Sequence, residues 1–68
     1  MYILNEVAKS KLKYMKYSDV ARTIGINAET LSEMVRKDRP CLKLPAYAIT
    51  KFLDSEKEIS DFFDRKVG

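Results

Sequence analysis

The chain has 68 residues and a formal net charge of +3, from 13 lysines and arginines against 10 aspartates and glutamates. A chain of this length forms one domain, residues 1–68, with a small core, so we expect no deep catalytic cavity. It contains no histidine and only one cysteine, Cys41, which excludes an internal disulfide, a Cys–His zinc site and a histidine-based triad.

The N-terminal half shows the spacing of amphipathic helices. Apolar residues recur every three or four positions and predict a first helix over residues 3–13, with no strand, because strict alternation never appears. Ser18 is a good N-cap for a second helix over 18–24, which Gly25 ends in the left-handed conformation. Asn27 caps a third helix over 28–36, and Pro40 disfavours helix at the preceding residue.

Two further helices complete the predicted all-α architecture. Pro45 suits the first position of a fourth helix over 45–53, after a loop anchored by Leu42 and Leu44. Ser55 caps a fifth helix over 56–66, with Glu58 completing a capping box. The predicted apolar stripes of these helices are Ala46, Ile49, Phe52 and Leu53, and then Ile59, Phe62, Phe63 and Val67.

The informative stretch runs from residue 20 to residue 34 and contains a helix, a glycine-bearing turn and a second helix. Ala21 is small at the point where two helices cross closely, and Gly25 permits the sharp turn. Ile26, Leu31 and Met34 hold the second helix against the first. Such a pair projects the N-terminal part of its second helix outward, where it can enter a DNA major groove.

This stretch resembles the lambda-repressor-like helix-turn-helix family, which includes the repressors and Cro proteins of temperate phages. The matching positions are Val20, Ala21, Ile24, Gly25, Ile26, Asn27, Leu31 and Met34, supported by Arg39-Pro40 and Leu44-Pro45 downstream. The resemblance covers residues 3–63. It implies a compact five-helix domain that binds operator DNA, as a homodimer, and regulates transcription.

The resemblance also assigns residues to DNA. The base-reading positions fall on Ala28, Glu29, Ser32 and Glu33, with Asn27 and Thr30 at the groove edge. Phosphate-holding positions fall on Tyr17, Ser18, Arg36, Lys37 and Arg39. The reading face departs from the family because it carries two glutamates and no arginine, lysine or glutamine. Glutamate accepts from the cytosine amino group, and an alanine methyl contacts the methyl of thymine.

Several alternatives stay open at this level. The acidic reading face also suits an antirepressor or modulator that binds a partner repressor protein through the same surface. Phe62, Phe63 and Val67 form either a dimer or partner surface or part of the core. Lys9, Lys11, Lys13 and Lys16 form either a phosphate-facing patch or a solvated helix face.

The remaining expectations concern chemistry and location. No nucleophile–base pair or phosphate-binding glycine loop occurs, so we expect no enzyme activity, no catalytic or metal-binding residue and no cofactor. Cys41 is expected to be a structural thiol in a reducing environment. No apolar run is long enough to span a membrane, and we expect a cytoplasmic protein of a bacterial host.

Overall fold

A short antiparallel ribbon brings the two ends of the described chain together. The computed structural model describes residues 1–66. In chain order the elements are β1 (Tyr2–Leu4), α1 (Glu6–Lys13), α2 (Tyr17–Ile24), α3 (Ala28–Arg36), α4 (Lys43–Leu53), α5 (Ile59–Phe62) and β2 (Phe63–Arg65). The described part is therefore mostly helical, and none of its helices has the length and apolar character that crossing a membrane requires.

The ribbon pairs Tyr2 with Arg65 and Leu4 with Phe63. Backbone bonds of 2.8 Å in both directions between Tyr2 and Cys41 add a bridge to the loop after α3. The prediction of helix from residue 3, with no strand, was therefore wrong. The predicted fifth helix over 56–66 was also wrong, because only Ile59–Phe62 is helical. This pairing joins residues about 60 positions apart, and local spacing carries no signal for it.

The predicted start of α3 was confirmed, and the predicted starts of the other helices differ from those observed by one to three residues. Asn27 caps α3 as predicted, with its side-chain oxygen accepting from the Glu29 N–H at 2.7 Å. Three other N-caps differ from the predictions: Lys16 for α2, Leu42 for α4 and Glu58 for α5. Ser18 therefore lies inside the first turn of α2.

The displaced starts at α4 and α5 have simple local causes. Pro45 takes the third position of α4, which costs no hydrogen bond because amides of the first turn have no intrahelical acceptor. The capping box lies three residues later than predicted, since the Glu58 N–H donates to the Asp61 carboxylate at 2.9 Å. In both places the residue type correctly indicated a helix start, but the residue occupies a different position in that start from the one predicted.

The core takes side chains from every helix and both strands. Its buried members are Leu4, Ala8, Leu12, Val20, Ala21, Leu31, Met34, Cys41, Ala46, Ile49, Phe62 and Phe63. Phe62 and Phe63 close this core, so they present no surface to a partner in the folded chain; Val67 lies outside the described residues. The expectation that Leu42 and Leu44 anchor their loop was wrong, because they are 67% and 82% exposed.

Cys41 is a buried free thiol, and this leads to a chemical prediction. Burial raises the pKa of Cys41 to about 11, so the reactive thiolate is scarce in the folded protein at pH 8. We expect iodoacetamide to alkylate the native protein slowly and the urea-unfolded protein quickly, as mass spectrometry would measure.

The sign of the pH effect follows from the same shift. The folded thiol holds its proton more tightly than the unfolded one, so this group's contribution to stability is complete below pH 9 and declines as the pH rises toward 11. Equal alkylation rates for native and unfolded protein at pH 8 would show that the thiol is not protected.

Candidate nucleic-acid interface

The connection between α2 and α3 is a short turn with defined geometry. Gly25 has a φ of 79°, in the left-handed region that favours glycine. The N–H groups of Gly25 and Ile26 both donate to the carbonyl of Ala21 at 2.9 Å, which closes the end of α2. Asn27 then caps α3 directly. The turn is thus hydrogen-bonded on both sides, and this fixes how α3 leaves α2.

The inner faces of these two helices hold them together. Val20 and Ala21 on α2, and Leu31 and Met34 on α3, are all buried in the same core cluster. Helix α2 packs against both α3 and α4. Because the inner side of α3 is used in this way, its opposite side is left toward solvent.

The outer side of α3 forms a shallow depression of about 160 Å³. It is lined by Glu29, Ser32, Glu33, Arg36 and Lys37. Three of the four predicted base-reading residues therefore lie together with two predicted phosphate ligands. The fourth, Ala28, is half-buried and packs against the core, and Thr30 is also half-buried.

One of the two glutamates on this face is already paired. The Arg39 guanidinium lies 2.5 Å from the Glu33 carboxylate, and the Arg39 N–H also donates to the Glu33 carbonyl at 3.3 Å. Glu29 is exposed and forms no ion pair within residues 1–66. The surface that looked doubly acidic therefore presents one unpaired carboxylate.

The basic side chains at the end of α3 outweigh that carboxylate. Arg36, Lys37 and Arg39 oppose Glu29 and Glu33, so this patch has three cations against two anions. Arg36 Nη1 lies 3.5 Å from the Ser32 hydroxyl, at the limit of a hydrogen bond. Arg36 and Lys37 are exposed and remain available to an anionic ligand.

A second ion pair fixes the loop that carries Arg39. Asp38 has a φ of 53°, a left-handed conformation that turns the chain after α3. Its carboxylate accepts from Lys9 of α1, and this hydrogen bond raises the pKa of Lys9. Lys9 is therefore engaged within the fold, whereas Lys11, Lys13 and Lys16 are exposed.

The start of α2 offers backbone donors rather than a capped terminus. Lys16 caps α2 through its backbone only, with no side-chain hydrogen bond. Amides of the first turn, including those of Tyr17 and Ser18, have no acceptor within the helix, and such an end favours anions. The Ser18 side chain is exposed, while the Tyr17 ring packs partly against the core.

Sequence reasoning missed the Glu33–Arg39 pair and the Lys9–Asp38 pair. Both depend on the left-handed turn at Asp38, which brings residues beyond the helix back onto its surface. An aspartate in the loop after a helix is a weak signal for such a turn, because aspartate tolerates this conformation better than most residues.

Comparison of the chain with models of known protein families, with curated proteins and with solved structures found no match. The functional interpretation therefore starts from the geometry of α2, α3 and the loop that follows them.

Proposed function

We propose that this protein is a sequence-specific DNA-binding transcriptional regulator of phage or mobile-element type, with residues 28–35 in the major groove. The observation that carries the proposal is the closed turn at Gly25–Asn27, which holds α2 and α3 together while the outer side of α3 stays open. A helix presented in this way by a preceding helix is the arrangement that reads base edges in helix-turn-helix proteins.

Each group on this surface has a distinct role in the proposal. Glu29 and Ser32 face base edges, where a carboxylate accepts from cytosine N4 and a hydroxyl bonds to several bases. Arg36, Lys37 and the first amides of α2 hold phosphates, which position the protein without specifying sequence. Glu33 orients Arg39 beside the backbone, since the two side chains already form one unit.

The finer assignment is a repressor-like or Cro-like protein of the lambda-repressor-like class. The protein would act as a DNA-binding module without enzymatic turnover, in the cytoplasm of a bacterial host. The resemblance of residues 20–34 to that class supports the assignment, as does the helix–turn–helix arrangement of this stretch. The β1–β2 ribbon is an addition to the all-helical plan that the resemblance implies.

The alternative is a modulator that binds a partner repressor by presenting an acidic surface. The Glu33–Arg39 pair counts against it, because only Glu29 remains as an unpaired carboxylate on the outer side of α3. A DNA-like surface requires a row of separate negative charges. The observed patch carries more positive than negative side chains.

Fluorescence anisotropy with two DNA duplexes tests the proposal. One duplex carries the sequence enriched by selection from a random pool, and the other carries the same bases in scrambled order. We expect the selected duplex to bind at least about 1,000-fold more tightly at physiological salt. We also expect the logarithm of affinity to fall linearly with the logarithm of salt concentration, because phosphate contacts release counterions. Absence of binding to either duplex at about 50 mM salt would overturn the proposal.

A further inference from the structure

The outward side of α4 carries an apolar row that nothing in the described chain covers. Leu44, Ala48 and Phe52 follow each other at intervals of four, so they lie within a sector of about 80° on the helix. Leu44 is almost fully exposed, Phe52 is 38% exposed and Ala48 is half-buried. Leu42, the N-cap residue of α4, is also exposed. Monomeric soluble proteins rarely expose large contiguous apolar patches.

The row is complementary to itself. Ala48 is the midpoint of Lys43–Leu53, with a large side chain four residues away on either side. When two such helices cross antiparallel on a two-fold axis at Ala48, Leu44 of each copy lies opposite Phe52 of the other. The small side chain at the centre allows the two helices to approach closely. Side chains spaced four apart form a ridge that packs into the groove between the ridges of the other helix. A contact that uses one patch twice is the isologous type found in two-fold dimers.

Charge at the two ends of α4 supports the same orientation. Lys43 begins the helix, and Asp54 and Glu56 follow its end. Antiparallel pairing places each Lys43 near Asp54 and Glu56 of the other copy, whereas parallel pairing places the two Lys43 side chains together. Lys51 Nζ lies 5.5 Å from the centroid of the Tyr47 ring and donates to the carbonyls of Ser55 and Lys57, so its ammonium is already engaged within its own chain.

We propose that a second copy of this chain covers the outer side of α4, through an antiparallel α4–α4 contact centred on Ala48. Phe62 and Phe63 belong to the core, and the proposed dimer surface is formed by Leu44, Ala48 and Phe52. The role of this contact as the dimer interface of a DNA regulator rests on the proposed function, whereas the pairing itself does not. We expect a dissociation constant on the order of 1–10 μM, the range of a weak reversible dimer.

Sedimentation equilibrium without DNA tests the pairing. The wild-type chain is expected to be dimeric at about 100 μM, well above that dissociation constant. Leu44→Asp and Ala48→Glu should each raise the dissociation constant at least tenfold. Val7→Asp is the matched control, because Val7 is also an exposed apolar residue but lies on α1; it should leave the dimer intact. Far-ultraviolet circular dichroism verifies that every variant is folded.

Disulfide formation supplies a readout that depends on the axis itself. Ala48→Cys should yield a covalent dimer on mild oxidation, since the two introduced thiols meet at the two-fold axis. Ser10→Cys, an exposed position on α1, should not cross-link at the same rate. A wild-type chain that stays monomeric, or a dimer unaffected by Leu44→Asp, overturns the interface. DNA binding is measured separately, so a dimer that binds no DNA overturns the proposed function and leaves the interface standing.

Discussion

Truncation of Met34 to alanine is expected to lower the free energy of unfolding by about 2–5 kcal/mol, the cost of losing a buried methionine side chain and leaving a cavity. Met34 lies on the inner side of α3, within the cluster that also contains Val20 and Leu31. Alanine and methionine both favour helix, so the loss comes from packing and not from helix propensity. A domain of this length has about 3–10 kcal/mol in total, and the variant should be partly or wholly unfolded at 37 °C.

Urea unfolding followed by circular dichroism at 222 nm measures this effect. Met15→Ala is the matched control, since Met15 is 37% exposed in the turn between α1 and α2. Its truncation should cost no more than about 1 kcal/mol. Equal losses for the two variants would mean that α3 is not packed on the core through Met34. The interpretation of α2 and α3 as one rigid unit would then be wrong.

The central part of the fold was predictable because its signals are local. Gly25 and Asn27 act within their own turn, and helix α3 was predicted over the same residues that it occupies. The ends were not predictable, because Leu4 and Phe63 form a pair only through a contact between distant parts of the chain. The helical spacing of residues 3–13 was compatible with a helix that begins at residue 3, whereas α1 begins at Glu6. The strand β1 gains its backbone hydrogen bonds only by pairing with residues 63–65.

In the candidate site, too, the local features were predictable and the features that depend on distant contacts were not. The family resemblance assigned Glu29, Ser32 and Glu33 to one face of the third helix, and these three residues line one depression. The charge state of that face was misjudged, because Arg39 reaches Glu33 only through the left-handed turn at Asp38. Residue types indicated two acids on a reading surface. The tertiary structure turns one of them into part of an ion pair.

Replacing both Arg36 and Lys37 by glutamine is expected to weaken DNA binding at least about 100-fold near 150 mM salt. The basis is that each lost charge-assisted phosphate contact costs roughly 1.5–3 kcal/mol. Both side chains are exposed at the end of α3, and neither forms an ion pair within residues 1–66. The slope of log affinity against log salt should also become shallower by about 1.8, from 0.9 per phosphate contact. Anisotropy titrations on the selected duplex at several salt concentrations measure both quantities.

A matched pair of substitutions separates local contact from net charge. Lys57→Gln with Arg65→Gln also removes one lysine and one arginine, but Lys57 lies between α4 and α5, and Arg65 lines a depression beside Tyr47 on the α4 side. This control variant should keep nearly the wild-type slope and lose only the small, long-range part of the affinity. Equal losses for the two double variants would mean that DNA responds to the total charge of the domain. The outer side of α3 would then have no special role in binding. If α3 docks in the groove, cations at its end contact phosphates directly, and their removal must cost more than the removal of distant cations.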